Sequence, residues 1–128
     1  MIKDVISMLK GIVPILRMFD ENKAKEFYLD YLGFQLDWEH RFEPDMPLYM
    51  QISRDTIIIH LSEHHGDCTP GAALRVATDD VQALQQQLQL SNYKYARSGV
   101  EDTPWHSREM TVTDPFGNRI IFAQTMTE

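Results

Sequence analysis

The order of apolar patterns along this 128-residue chain predicts an α+β fold of two βαβββ modules that pair to bury their sheets. Three observations predict it. An Asp-capped amphipathic helix is followed by three segments of alternating polarity. The same order of elements returns about 58 residues further on, although residue identity between the halves is weak. Neither half holds enough apolar residues to form a core alone, so the halves must bury their sheets together. The chain is therefore read as a single domain, 1–128, with modules at about 12–63 and 72–124.

A first strand is expected at 12–18. The first helix runs from about Glu21 to Leu32, with Asp20 as N-cap, since its carboxylate can accept from free amides of the first turn. Ala24, Phe27, Tyr28 and Tyr31 recur at helical spacing and form one apolar stripe, and Gly33 supplies the left-handed conformation that ends many helices. In 35–42 strict alternation puts Leu36, Trp38, His40 and Phe42 on one face and Gln35, Asp37, Glu39 and Arg41 on the other. After Pro44, Asp45 and Pro47, Leu48, Met50 and Ile52 alternate with Tyr49, Gln51 and Ser53. A tight turn at Arg54–Asp55 leads to 56–61, whose β-branched run reads as a more buried strand.

The second module opens with a strand at 72–77 after a Gly- and Pro-containing loop, His64 to Gly71. Its helix is expected at 79–90, starting near Asp79, with Val81, Leu84 and Leu88 on one face. Asp79 and Asp80 sit where the helix dipole favours negative charge. Three more strands are expected near 93–98, 108–113 and 119–124. The last two flank Asp114-Pro115-Phe116-Gly117-Asn118, where Asp bonds the backbone ahead, Pro fixes φ and Gly supplies positive φ.

Composition narrows the function classes. Apolar residues make up 43%, as in an ordinary globular protein, and no apolar run approaches the roughly 20 residues of a membrane span. The opening residues carry Lys3, Asp4 and Lys10 without a long apolar stretch and do not read as a secretory signal. A single cysteine, Cys68, excludes an internal disulfide and agrees with a reducing cytoplasm. The net charge of −7 argues against nucleic acid and anionic membrane as partners, which need a basic footprint. It suits a cationic ligand, and equally suits nothing more than solubility.

Residues 13–34 (VPILRMFDENKAKEFYLDYLGF) resemble the opening of bleomycin-resistance-type members of the glyoxalase/bleomycin-resistance/dioxygenase (vicinal oxygen chelate) superfamily: a strand, an Asp-capped helix with the aromatic pair Phe27–Tyr28, and a closing Leu32-Gly33-Phe34. Residues 104–122 (PWHSREMTVTDPFGNRIIF) resemble that family's closing hairpin, with Pro104–Trp105, Arg108–Glu109 and the Asp114–Asn118 turn. The resemblance covers about residues 12 to 124 and implies that the mixed sheets of the two modules form a cup.

Enzymes of this superfamily hold a divalent metal with mainly His and Glu, one ligand on each of four strands. By resemblance those positions fall on Val13, Ala72 or Ala73, Ile121 and His60. The first three have no donor atom, and one imidazole does not hold a metal, so no metal and no cofactor are expected. His60 is read as a hydrogen-bonding side chain facing the cup. The nearby Glu63, His64, His65, Asp67 and Cys68 follow no recognised ligand spacing and read as a solvated polar loop, where adventitious nickel or zinc binding would be no surprise. No GxSxG elbow, phosphate loop or CxxC pair is present. Cys68 as nucleophile would need a depressed pKa and a base. Glu39, Glu43 and Glu109 would serve as general bases only if desolvated.

The resemblance implies a homodimer whose grooves stack planar ligand parts on aromatics while acidic side chains attract a cationic tail. The stacking candidates are Trp38 and Trp105, the only tryptophans; the other reading of Trp38 is core, with Leu36 and Phe42. Ligand-binding candidates are thus Trp38, Trp105, His60, Asp37, Glu39, Glu101 and Asp102, with Glu43 and Asp45 also near the tryptophans. The function expected is metal-free binding and sequestration of a cationic, partly planar small molecule such as a glycopeptide antibiotic, giving antibiotic resistance without catalysis. The alternatives are a glyoxalase-like lyase or isomerase with an atypical site around His60, and a binder of an endogenous metabolite or peptide.

Overall fold

Asp20 opens the first helix as its sequence position predicts, accepting from the Lys23 amide at 2.9 Å. The computed structural model describes residues 6–91, 93 and 98–126. Helix α1 (Glu21–Lys25) passes into a π-helical continuation, Glu26–Tyr31, where a uniform α-helix was expected. Three large rings within five residues, Phe27, Tyr28 and Tyr31, crowd an α-turn, and the wider turn seats all three in the core. Phe27 meets Tyr28 edge-on at 4.9 Å, and Tyr31 stacks on Tyr93 at 4.8 Å. Gly33 follows with φ 77, and a Cβ there would stand 3.3 Å from the Arg54 guanidinium, so both conformation and space favour glycine.

The first module contains β1 (Ile15–Arg17), β2 (Gln35–His40), β3 (Tyr49–Arg54) and β4 (Ile57–Ser62) in the order β1-β4-β3-β2. The second contains β5 (Ala73–Ala77), α2 (Val81–Gln89), β6 (Glu101–Asp102), β7 (Ser107–Thr113) and β8 (Arg119–Thr125), with sheet order β5-β8-β7-β6. In each sheet the first strand joins the last in parallel and the remaining pairs are antiparallel. Both modules are therefore βαβββ with mixed sheets, as the sequence predicts. Each sheet buries the face turned to the helices. Leu16, Met50, Ile52, Ile59 and Leu61 from the first join Met110, Val112, Ile120 and Phe122 from the second in one core with Phe27, Tyr28 and Leu88.

Several details differ from expectation, among them a first strand confined to Ile15–Arg17 and a second that ends at His40. Helix α2 starts at Val81 because Asp80, not a residue before Asp79, caps it through the Ala83 amide at 3.0 Å. Arg54 belongs to β3, so the tight turn is Asp55–Thr56, with Asp55 at φ 53. Strand β4 is less buried than its composition suggested, since Ile58 and His60 face outward between Ile59 and Leu61. The strand expected near 93–98 falls largely outside the described residues, and the short β6 lies at Glu101–Asp102.

The Asp114–Asn118 turn between β7 and β8 ties the modules together. Asp114 accepts from the Tyr28 hydroxyl at 2.6 Å and from the Asn118 side-chain amide at 2.9 Å, and that same amide group donates to the Arg17 carbonyl of β1. Gly117 sits at φ 93, as the turn requires.

Candidate ligand-binding site

The outward face of the first sheet carries the side chains that the core does not take. Alternation along β3 sends Tyr49, Gln51 and Ser53 outward, opposite the buried Met50 and Ile52. Register places His60 beside Gln51 on one side and Ile15 on the other.

Strand β2 corrects the strict alternation expected for 35–42. A register shift between Leu36 and Trp38 leaves Asp37 as an extra residue: Leu36 pairs with Ile52, but Trp38 pairs with Gln51. Leu36 and Trp38 therefore lie on opposite faces, and Trp38 joins the outward face at 44% exposure. Its core reading is overturned. The same shift turns Glu39 toward the helix side, where its carboxylate meets Lys25 at 3.1 Å.

Trp38, His40, Phe42, Tyr49, His64 and Asp67 line a cleft of about 420 Å³ on this face. The Trp38 and Tyr49 rings are nearly parallel, 13° apart with centroids at 6.0 Å, and the His60 ring stands edge-on to both. Phe42 closes one side edge-on to His40 and His64. The 64–71 loop is largely exposed, in keeping with a solvated loop, and its first turn folds onto the cleft: the Ser62 hydroxyl donates to Asp67 at 2.6 Å and accepts from the His64 amide at 3.0 Å. Sequence reasoning did not single out Tyr49 and weighed Asp67 only in the metal-ligand cluster it set aside; the outward alternation of β3 was the available signal for Tyr49.

Hydrogen bonds run across the sheet beneath the cleft. Asp37 accepts from Gln51 at 3.0 Å and from Ser53 at 3.0 Å, and these bonds, that from Gln51 foremost, hold its carboxyl below the usual range. Gln51 Oε1 faces His60 Nε2 at 2.9 Å, and His60 Nδ1 faces the Tyr49 hydroxyl at 2.7 Å. Burial pushes the His60 pKa down and the Tyr49 pKa up.

The second sheet presents a different surface. Trp105 is 62% exposed, and its indole N–H donates to Glu109 Oε2 at 3.1 Å, which fixes the ring while leaving it open to solvent. Arg75 donates to the same oxygen at 2.8 Å, and this contact, followed by that of Trp105, keeps the Glu109 carboxyl below its usual range. Glu109 is thus a paired carboxylate, not a desolvated base. Asp102 is bound by Arg108 at 2.7 Å and its carboxyl is lowered accordingly, while Glu101 is exposed. Trp105 is not part of the cleft that Trp38 lines. A larger crevice of about 710 Å³, between Phe34, Arg54, Asp79, Asp80 and Leu84, lies at the junction of the modules and has no such ring cluster.

The residues present do not fit a resident metal. His60 faces the apolar Ile15 across the parallel pair, and both its nitrogens are engaged by Tyr49 and Gln51. Ile121 pairs with Arg75, whose guanidinium would oppose a dication there. Among the described residues no three His, Cys, Asp or Glu side chains are grouped to hold a metal ion. Burial raises the Cys68 thiol pKa, which is the opposite of nucleophile activation.

Two sheets of this topology define a glyoxalase/bleomycin-resistance fold. A family model described as glyoxalase superfamily protein matches residues 4–128, and the chain belongs to that superfamily. Solved structures agree. A glyoxalase/bleomycin resistance protein from Streptomyces sp. CB03234 is 27% identical, with a TM-score of 0.68 over 88% of this chain and 97% of its own. The bleomycin-binding protein of bleomycin-producing Streptomyces verticillus, solved with copper(II)-bleomycin, is 25% identical, with a TM-score of 0.68 over 96% of this chain and 100% of its own. TnmS3, an antibiotic-binding protein from Streptomyces sp. CB03234, is 27% identical, with a TM-score of 0.69 over 93% and 99%. No curated protein matches. Among the described residues no helix is long and apolar enough to cross a membrane.

Proposed function

We propose that this protein is a metal-free binder that sequesters a cationic, partly planar small molecule of the bleomycin type, as its structural neighbours bind bleomycin or antibiotics. The observation that carries the reading is the cleft itself: Trp38 and Tyr49 offer parallel rings, Phe42 a wall, and Asp67 a carboxylate. Such rings stack on planar groups and attract cations. Trp105, held by Glu109, is a second platform, and His60 and Asp37 support the first from below. Asp67 and Glu101 supply steering charge; Glu39 and Asp102, already bound by Lys25 and Arg108, supply less. The chain acts as one domain, modules 12–63 and 72–124, in a reducing cytoplasm, and confers antibiotic resistance without catalysis.

Titration with bleomycin, followed by tryptophan fluorescence, tests this reading. Saturable binding below about 100 µM is expected, weaker at high salt because exposed charges are screened over roughly 10 Å at 0.1 M. Absence of saturation ends the drug reading. The metal-free part has its own check. Protein purified without a histidine tag should carry well under one nickel, zinc, manganese or iron per chain after dialysis; about one metal, lost in His60→Ala, contradicts it.

The working unit is proposed to be a homodimer. Residues 6–14 have no regular structure, and Ile6, Met8, Leu9 and Ile12 are among the most exposed side chains. Apolar runs of this kind mark an interaction surface. Light scattering at micromolar concentration should give about twice the chain mass, and Leu9→Asp with Ile12→Asp should shift it toward the monomer. A monomeric wild type refutes the dimer.

A further inference from the structure

The hydrogen-bond chain beneath the cleft has a fixed direction. Asp37, with three donors around it, only accepts, so Gln51 turns its NH₂ to Asp37 and its carbonyl oxygen to His60. A carbonyl oxygen only accepts, so His60 carries its proton on Nε2. A neutral imidazole has one N–H, which leaves Nδ1 as an acceptor for the Tyr49 hydroxyl at 2.7 Å. The single hydroxyl proton of Tyr49 is thereby committed to His60, and only the lone pairs of its oxygen remain for any other contact. The nearby Asp67 carboxylate, which takes the Ser62 hydroxyl on one oxygen, likewise only accepts.

We propose that this chain, Asp37 to Gln51 to His60 to Tyr49, sets the specificity of the cleft: it selects cationic heads that carry N–H donors, such as amidinium or primary ammonium, over quaternary cations without them. Tyr49 is the residue that reads the donor, and His60 is the positioning residue that orients its proton. The inference rests on the small-molecule-binding reading and adds the hydrogen-bonding class of the ligand. It also sets a direction for pH. Protonated His60 donates from both nitrogens, so Tyr49 must turn its oxygen to His60 and its proton away, and a positive charge enters beneath the cleft. Burial keeps His60 neutral at pH 7 and places this change below its ordinary value of 6.5.

Other groups also face this region. From β2 come Trp38 and His40; from the loop after β4, His64, Asp67 and Cys68; from β1, Ile15 and, opposite Ser62, Arg17; and from beneath, Asp37 through Gln51. Of these, His40 and His64 also line the cleft, so variants must separate their parts from that of His60.

Two measurements test the proposal. Long-range proton–nitrogen correlation spectra of the free protein should show His60 as the Nε2–H tautomer with a midpoint below pH 6.5. An Nδ1–H tautomer overturns the proposal whether or not bleomycin binds. Chemical-shift titration then uses benzamidinium and phenyltrimethylammonium, both cationic at neutral and acid pH, the second without N–H donors. Benzamidinium should bind about tenfold more tightly at pH 7.5, the size of one charged hydrogen bond. That preference should fall to about twofold or less in Tyr49→Phe, and in wild type about one pH unit below the midpoint measured for His60. It should persist at that pH in His60→Gln, and still collapse there in His64→Asn and His40→Asn. Equal binding of the two cations at pH 7.5, or no shift of cleft signals with either, overturns the proposal. A retained preference without bleomycin binding leaves it standing and removes the drug reading alone.

Discussion

Replacing Asp114 by alanine is expected to destabilise the fold by about 3–5 kcal/mol and to lower Tm by roughly 10–20 °C. Asp114 is 4% exposed and accepts from the Tyr28 hydroxyl, the Phe116 and Asn118 amides, and the Asn118 side chain. Alanine removes every acceptor at once. Tyr28 and Asn118 are themselves fully buried, so their donors have no water to turn to, and each unsatisfied donor costs about 1–3 kcal/mol. Tyr28→Phe should cost less, about 1–2 kcal/mol, because Asp114 keeps its bonds within the turn. The double variant should lose less than the sum of the singles, since removing the Tyr28 hydroxyl also removes one of the stranded donors. Chemical denaturation of the four proteins checks this. A loss under about 1 kcal/mol in Asp114→Ala would mean that the turn does not join the modules as described.

The second large effect falls on binding. Trp38→Ala should weaken bleomycin binding by about tenfold to a hundredfold, the range of an aromatic anchor removed from a concave site. It removes one of two nearly parallel rings, leaving Tyr49 without its partner at 6.0 Å and opening the side of the cleft. Trp38 is 44% exposed and off the core, so stability should change by much less than for Asp114. Trp105→Ala reports on the second platform. Binding that survives both substitutions unchanged would move the groove elsewhere, the crevice between Phe34, Arg54 and Asp79 being the next place to look.

Elements fixed by local chemistry were legible before the structure. Asp20, Gly33 and the Asp114–Asn118 turn each act through their own backbone neighbourhood, and each stands where its residue type requires. The apolar stripe Ala24, Phe27, Tyr28 and Tyr31 located the first helix, though not its π-helical turn, which depends on how three rings fit the sheet. The candidate site was less legible because it depends on register. One extra residue at Asp37 reverses every side chain after it, and no alternation rule announces a bulge. That reversal brought Trp38 to the open face and sent Glu39 to Lys25. Asp67 reaches the cleft through a loop closure held by Ser62, and Glu109 is neutralised by Arg75 from a distant strand. The first is a loop closure that alternation does not announce, and the second joins residues 34 apart in sequence.

Binding without chemistry is the central claim, and recovery of the ligand tests it most directly. Bleomycin incubated with excess protein at pH 7.5, released by denaturation and weighed by mass spectrometry, should return quantitatively at its original mass, after calorimetry has shown it bound with an affinity near micromolar, about −8 kcal/mol. A product of altered mass that accumulates with time and with protein, and fails to form with Trp38→Ala, would contradict the account and assign the cleft to an enzyme.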